Sequence, residues 1–275
     1  MKKIFIVLVF LAIAAPGLAQ TTPRYISLAP STTEILFALG LDKEIVGVSS
    51  YCNYPVQAKN KESIGSFSQP NVEKILSLKP DYIFGTGLEQ AAVIGELRRL
   101  KLNVYIADPK NIAELLDTIR QVGKITHRRK EAQDLIKNIE NQIRKISSEA
   151  CLIPYTKRPK VFVEIWHSPL TTAGKNSFID ELISLAGGIN IAHNSRRPYT
   201  IFSQEEVIKA NPDIIIITYM DKQAPAKLME KRFGWEGISA VRNNRLYNGI
   251  NPDLLLRPGP RVAEGLQEIY KRLYH

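Results

Sequence analysis

Apolar residues along this chain follow two rhythms. Short runs at 24–29 (RYISLA), 45–49 (IVGVS), from Tyr82 (YIF), at 103–107 (NVYIA), after Lys160 (VFVEI) and at Ile214–Ile217 have the length and composition of buried strands. Between them, apolar positions three or four apart predict helices: one from Glu34, one over 71–78, and others over 89–100, 177–186, 203–210 and about 260–273. Pro30-Ser31-Thr32-Thr33 supplies hydroxyls to cap the first, and Gly40 stands where a helix stops. Strands alternating with helices predict a largely parallel sheet covered on both faces.

Residues 127–149 break the alternation. Apolar positions 132, 135, 136, 139, 143 and 146 mark one face of a single amphipathic helix, which at about 1.5 Å per residue spans roughly 35 Å. On either side lie two similar units. Glu73 stands seven residues before Pro80-Asp81, and Glu205 seven before Pro212-Asp213, each pair opening an apolar strand. Earlier in each unit a helix ends in glycine, as EILFALG from Glu34 and ELISLAGG from Glu181. This repeat predicts an α/β protein of two lobes, 24–126 and 159–275, bridged by a linking helix at 127–149. A cleft between lobes is a common ligand site.

Residues 1–19 have the form of a secretory leader: Lys2-Lys3, an apolar core at 4–15, and small residues at Gly17 and Ala19. The apolar run is short for a membrane span, and no Cys follows Ala19 to carry a lipid, so a soluble periplasmic protein is expected. The net charge of +10 is spread along the chain, and no nucleic-acid motif accompanies it, so no nucleic-acid partner is expected. Cys52 and Cys151 are far apart, and their spacing leaves a disulfide open. Neither these nor the four histidines, 127, 167, 193 and 275, show metal-ligand spacing. Nor is there a Gly-x-Ser-x-Gly elbow, a His-Glu-x-x-His or a phosphate-binding glycine loop, which argues against an exported hydrolase or metalloenzyme.

The stretches RYISLAPSTTEILFALGL, IVGVSSYCNYP, NVEKILSLKPDYIFG, GGINIA, SQEEVIKANPDIIIIT and RPGPRV, in that order, resemble the class III periplasmic binding proteins of ABC importers, the helical-backbone metal receptors. The segment from Ser49 to Pro55 is most similar to the cobalamin (vitamin B12) binding members. The resemblance implies a monomeric carrier that takes a corrinoid to the permease subunits of an importer. It implies no catalytic residues, no resident metal and no cofactor beyond the transported cobalamin.

For the ligand, the resemblance points to Tyr51, Phe67, Trp166, Tyr199, Asp253 and Arg257. A corrin is large and flat, and aromatic faces cover it at low entropic cost. Phe67 and Tyr199 stand where the cobalamin proteins carry Trp, and Thr86 replaces a third. Glu73 and Glu205 match the acids that meet arginines of the permease; Glu206 is a neighbouring alternative. Relatives that bind haem or ferric siderophores supply the other reading, in which Tyr51, Tyr54 or His167 would be the axial ligand to haem iron.

Overall fold

The computed structural model describes residues 22–219 and 232–275; the expected leader at 1–19 lies outside them. In the first lobe, β1 (Tyr25–Ser27), β2 (Ile45–Val48), β3 (Tyr82–Gly85) and β4 (Val104–Ile106) form a parallel sheet in the order β2-β1-β3-β4. The chain leaves β1 to one side and returns to the other, so β1 and β3 flank a switch point. Helices α1 (Pro30–Ala38), α2 (Val72–Ser77), α3 (Ala91–Arg99) and α4 (Ile112–Ile125) complete the lobe. Helix α1 starts four residues before Glu34. Pro30 sits in its first turn, where a missing N–H costs nothing, and no side chain caps it. The Thr32 and Thr33 hydroxyls instead donate back to the Ala29 carbonyl at 2.9 and 3.1 Å.

Helix α4 was not among the predicted elements, and it sets where the linking helix begins. His127 adopts φ 58°, and the Arg128 amide donates to the Gly123 carbonyl at 2.7 Å, ending α4. The linking helix α5 therefore runs Arg129–Cys151, shifted by two residues from 127–149. A Cβ on Gly123 would lie 2.4 Å from that of Ala132, so only glycine admits this close crossing of α4 and α5.

The second lobe holds β5 (Lys160–His167), β6 (Leu170–Ala173), α6 (Phe178–Leu185), β7 (Ile189–Asn190), β8 (Tyr199–Ile201), α7 (Gln204–Ala210), β9 (Ile214–Ile217) and β10 (Leu246–Tyr247). Strands β7, β9 and β10 continue the parallel pattern around β5, but β6 and β8 pair antiparallel. This sheet is thus mixed, because the turn at Ser168-Pro169 folds β6 straight back on β5. A helix at Val262–Tyr274 closes the chain and packs on α5 and α6. One apolar core runs through both lobes: Ile35 of α1 and Leu115 of α4, then Ile139 of α5, then Ile183 of α6 and Leu266.

The repeat holds at the level of single hydrogen bonds. Lys79 and Asn211 both adopt left-handed backbone, at φ 44° and 48°, and turn the chain into Pro-Asp. The Asp81 carboxylate then accepts from the Arg24 amide at 2.7 Å, and that of Asp213 from the Lys160 amide at 2.8 Å. Each aspartate so fixes the start of its lobe's central strand. Gly40 and Gly187, six residues after Glu34 and Glu181, have φ 74° and 78° and end α1 and α6 with the same pattern of bonds.

Glu34 and Glu181 do more than match: each reaches into the other half. Glu34 is 4% exposed and accepts two bonds from Arg261 at 2.6 and 2.8 Å. Glu181 accepts from the Ile112 amide, which opens α4, at 2.8 Å. Burial raises the pKa of both carboxyls, with Arg261 opposing the shift at Glu34. The cysteines make no such link. Cys52 is a buried free thiol bonded by Thr33 and Ser49, with its pKa pushed up by burial, while Cys151 is free and exposed.

Replacing Arg261 by Met should strand the Glu34 carboxylate and cost about 3 kcal/mol at pH 7. Because the native Glu34 pKa is raised, its proton is held more tightly folded than unfolded. Without Arg261 that pKa should rise further, so the loss should shrink as pH falls from the variant's higher pKa to the native one, below which both proteins carry Glu34 protonated. Urea denaturation of both proteins at neutral and acid pH measures it.

Candidate functional site

In open α/β sheets, ligands collect beyond the carboxyl ends of the strands, at the switch point. In the first lobe that edge is organised by Gln90, which is 1% exposed. Its side-chain amide donates to the carbonyls of Leu28 and Phe67, each at 2.9 Å, and its oxygen accepts from the Thr86 amide at 2.9 Å. One buried side chain thus ties together the loops that follow β1, β2 and β3. Two of the expected positions, Phe67 and Thr86, are held by the same residue.

Tyr51 follows β2 and is 59% exposed. Asn53, two residues on, accepts from Arg257 at 2.7 Å. Arg257 also pairs with Asp253 at 3.0 Å and approaches Glu34 at 3.8 Å. Asp253 and Arg257 therefore join the Tyr51 loop, but their charges are largely engaged with one another and with Glu34. Beside them, Arg261 lies 3.8 Å from the centre of the Tyr54 ring.

The second lobe contributes Trp166, 43% exposed, near the end of β5. Its ring meets those of His167 and Tyr219, with centroids 5.1 and 6.3 Å away. Beneath this group lies Glu164, 0% exposed, which accepts two bonds from Arg232 at 2.7 Å and one from the Tyr219 hydroxyl. Burial and the Glu164 carboxylate push the Tyr219 phenol far up, so Tyr219 remains a neutral donor. Tyr199 opens β8 and is 51% exposed. The pKa of its phenol is raised by the shielding of the surrounding chain at the hydroxyl end, although the ring is half exposed, and then by the charge of Asp108 after β4. Arg196 and Arg197 line a cavity of about 540 Å³ beside it.

Glu73 and Glu205 are not part of this group. Both are exposed, and each is the second residue of its helix, α2 or α7. Glu206 forms a capping box with Ser203, accepting from that residue's amide at 2.8 Å, and also lines the cavity with Tyr199, Arg196 and Arg197. Among the described residues no group of three or more His, Cys, Asp or Glu is arranged to hold a metal ion. His193 is bonded to Asp180 at 3.0 Å. The sequence reading missed Gln90, which carries no signal in a single sequence. It also passed over Glu164, although a lone acid inside the apolar run VFVEI demands a buried counter-charge.

Residues 26–251 match the family model of the periplasmic binding proteins. The chain belongs to that family. Its members carry solutes to importers, so this binding protein is not an enzyme. It is 33% identical to an uncharacterised ABC-transporter substrate-binding lipoprotein of Bacillus subtilis, over 91% of this chain and 80% of that one. It is 30% identical to the vitamin B12-binding protein of Vibrio cholerae, over 94% of this chain and 93% of that one. The solved apo structure of a periplasmic haem-binding protein from Roseiflexus is 29% identical, with a TM-score of 0.82 over 92% of this chain and 98% of that one. The two-lobed architecture of this binding protein, bridged by α5, is that of its structural neighbours.

Replacing Gln90 by Leu should leave the Leu28 and Phe67 carbonyls and the Thr86 amide without their partner. At about 1–3 kcal/mol for each buried group left unsatisfied, the cost should exceed that of a simple change in packing. Faster hydrogen exchange at the Thr86 amide would locate the damage; protection equal to that of the unaltered protein would exclude Gln90 from this role.

Proposed function

We propose that this binding protein captures cobalamin or a related corrinoid between its lobes and delivers it to the permease subunits of an ABC importer. The observation that carries the reading is the set of large aromatic side chains left exposed on both lobes: Tyr51 after β2 on one, and Trp166 near the end of β5 with Tyr199 at the start of β8 on the other. Exposed rings on facing lobes suit a flat, amide-rimmed macrocycle. The likeness to the Vibrio cholerae vitamin B12-binding protein over 94% of this chain supports the same ligand class. Phe67, Asp253 and Arg257 complete the proposed site, with the last two ordering the Tyr51 loop. Arg196 and Arg197 suit an anionic substituent, such as the phosphodiester of a corrinoid tail.

In this reading the leader at 1–19 sends the chain to the periplasm, where it acts as a monomer. The lobes comprise 24–126 and 159–275, joined through 127–149. Glu73 and Glu205 enter arginine pockets on the permease, since carboxylate–arginine pairs are directional. A second reading, haem, is favoured by the exposed imidazole of His167 beside Trp166 and by the Roseiflexus haem-binding neighbour.

Calorimetric titration with cyanocobalamin, haemin and a ferric siderophore tests the ligand. Cyanocobalamin should bind one per chain, and a preference for haemin would transfer the proposal to the second reading. Changing Tyr51 and Tyr199 together to Ala should weaken cyanocobalamin by about 2 kcal/mol, roughly 30-fold, at about 1 kcal/mol for each stacked ring. An unchanged Kd would remove both from the site. The docking role predicts separate losses: the Glu73→Lys/Glu205→Lys protein should bind ligand normally but fail in transport with the reconstituted importer.

A further inference from the structure

The two docking glutamates are not alone on their helices. Three residues beyond Glu73 stands Leu76, 40% exposed; three beyond Glu205 stands Ile208, 38% exposed. Residues i and i+3 share one face of a helix, so each acid has an aliphatic neighbour one turn away. One position earlier in each helix the repeat puts a core anchor, Ile75 and Val207, both 0% exposed. The anchors are explained by packing within each lobe, whereas Leu76 and Ile208 keep much of their surface open, Ile208 touching its own lobe at Gly234. A single exposed aliphatic residue is ordinary. Two at equivalent positions of a duplicated unit, equally exposed and equally spaced from an exposed acid, form a repeated surface that lobe packing does not account for. Of the charges next to each pair, Lys209 beside Ile208 is exposed, and two others are engaged. Lys74 pairs with Glu62, and Glu206 is held by Ser203. What both lobes present outward at this point is therefore one carboxylate and one aliphatic side chain, with Lys209 beside them on the second lobe.

We infer that Leu76 and Ile208 are docking residues, and that the partner carries two equivalent sites, each a cation bordering an apolar notch. The inference rests on the docking role proposed for Glu73 and Glu205, and it names the surface that surrounds them. The occupant is a two-fold pair of permease subunits. A duplicated surface is met at both places at once only by a partner that is itself duplicated. A second copy of this chain would set carboxylate against carboxylate, and an anionic lipid surface would repel both.

The test measures binding of the labelled full chain to right-side-out membrane vesicles of the source bacterium, with vesicles from a strain lacking the permease as the blank. The Leu76→Ser/Ile208→Ser protein should bind at least about ten-fold more weakly, with the same loss at low and high salt, because apolar burial is not screened. Either single change should account for a similar share. The Glu73→Gln/Glu205→Gln protein should bind more weakly at low salt and lose most of its salt dependence. Melting temperature and ligand affinity, and a Leu76→Gln/Ile208→Gln protein that keeps helix propensity, guard against a folding defect. Full affinity in both aliphatic double variants, with loss in the glutamine variant, overturns this inference and leaves the docking glutamates standing. Full affinity in the glutamine variant, with loss in the aliphatic variants, removes the glutamates and keeps the aliphatic surface. Full affinity in all of them overturns both.

Discussion

A chain built as two similar halves must hold them in one relation if residues from both are to meet one ligand, and here two carboxylates, one buried and one half-buried, supply that constraint. Glu34 and Glu181 occupy equivalent places, six residues before equivalent helix-ending glycines, and each bonds to a group of the opposite half. The Glu34–Arg261 pair joins residues 227 apart in sequence. A buried ion pair is weak as a source of net stability, because both ions lose their hydration. Its value here is directional: two bonds to one guanidinium fix the angle of approach of the C-terminal segment. Arg257, on the same segment, then reaches Asn53 and with it the Tyr51 loop. Helix α5 sets the spacing of the lobes, while the carboxylates hold their facing edges together.

The architecture was legible in the sequence because it rests on periodicity and punctuation. The run at Ile214–Ile217 is a strand as expected, four consecutive buried Ile following the Pro212-Asp213 break. The repeat was legible because Pro-Asp does the same work twice, with the carboxylate holding the backbone of the central strand. Helix α4, the β5–β6 hairpin and the edge strand β8 were not. The periodicity of α4 lies in a stretch without a strand before the linking helix, and a short exposed edge such as Tyr199–Ile201 has no strong pattern.

The candidate site was legible only in part, and for a physical reason. Exposed aromatic residues such as Tyr51 and Trp166 look the same in sequence as core residues; only the resemblance to the cobalamin proteins set them apart. The groups that position them are different. Gln90 acts through three backbone atoms of loops distant in sequence, and Arg232 acts through an acid buried in another strand. Such roles depend on where the fold brings polar atoms together, and one sequence holds no local trace of that. Phe67 is a case in point: its identity hints at a ligand contact, but its position is set by its own carbonyl and Gln90.

The unequal settings of the two thiols have a practical use. Cys52 is enclosed by Thr33 and Ser49, and its burial disfavours the thiolate that alkylating reagents require. Cys151 ends the linking helix and is open to solvent. With only these two cysteines in the sequence, maleimide chemistry on the folded, unaltered protein would attach one probe at one known point. That point belongs to the bridge between the lobes, so a fluorophore there would report tumbling of the whole carrier without touching the rings or acids assigned to its partners.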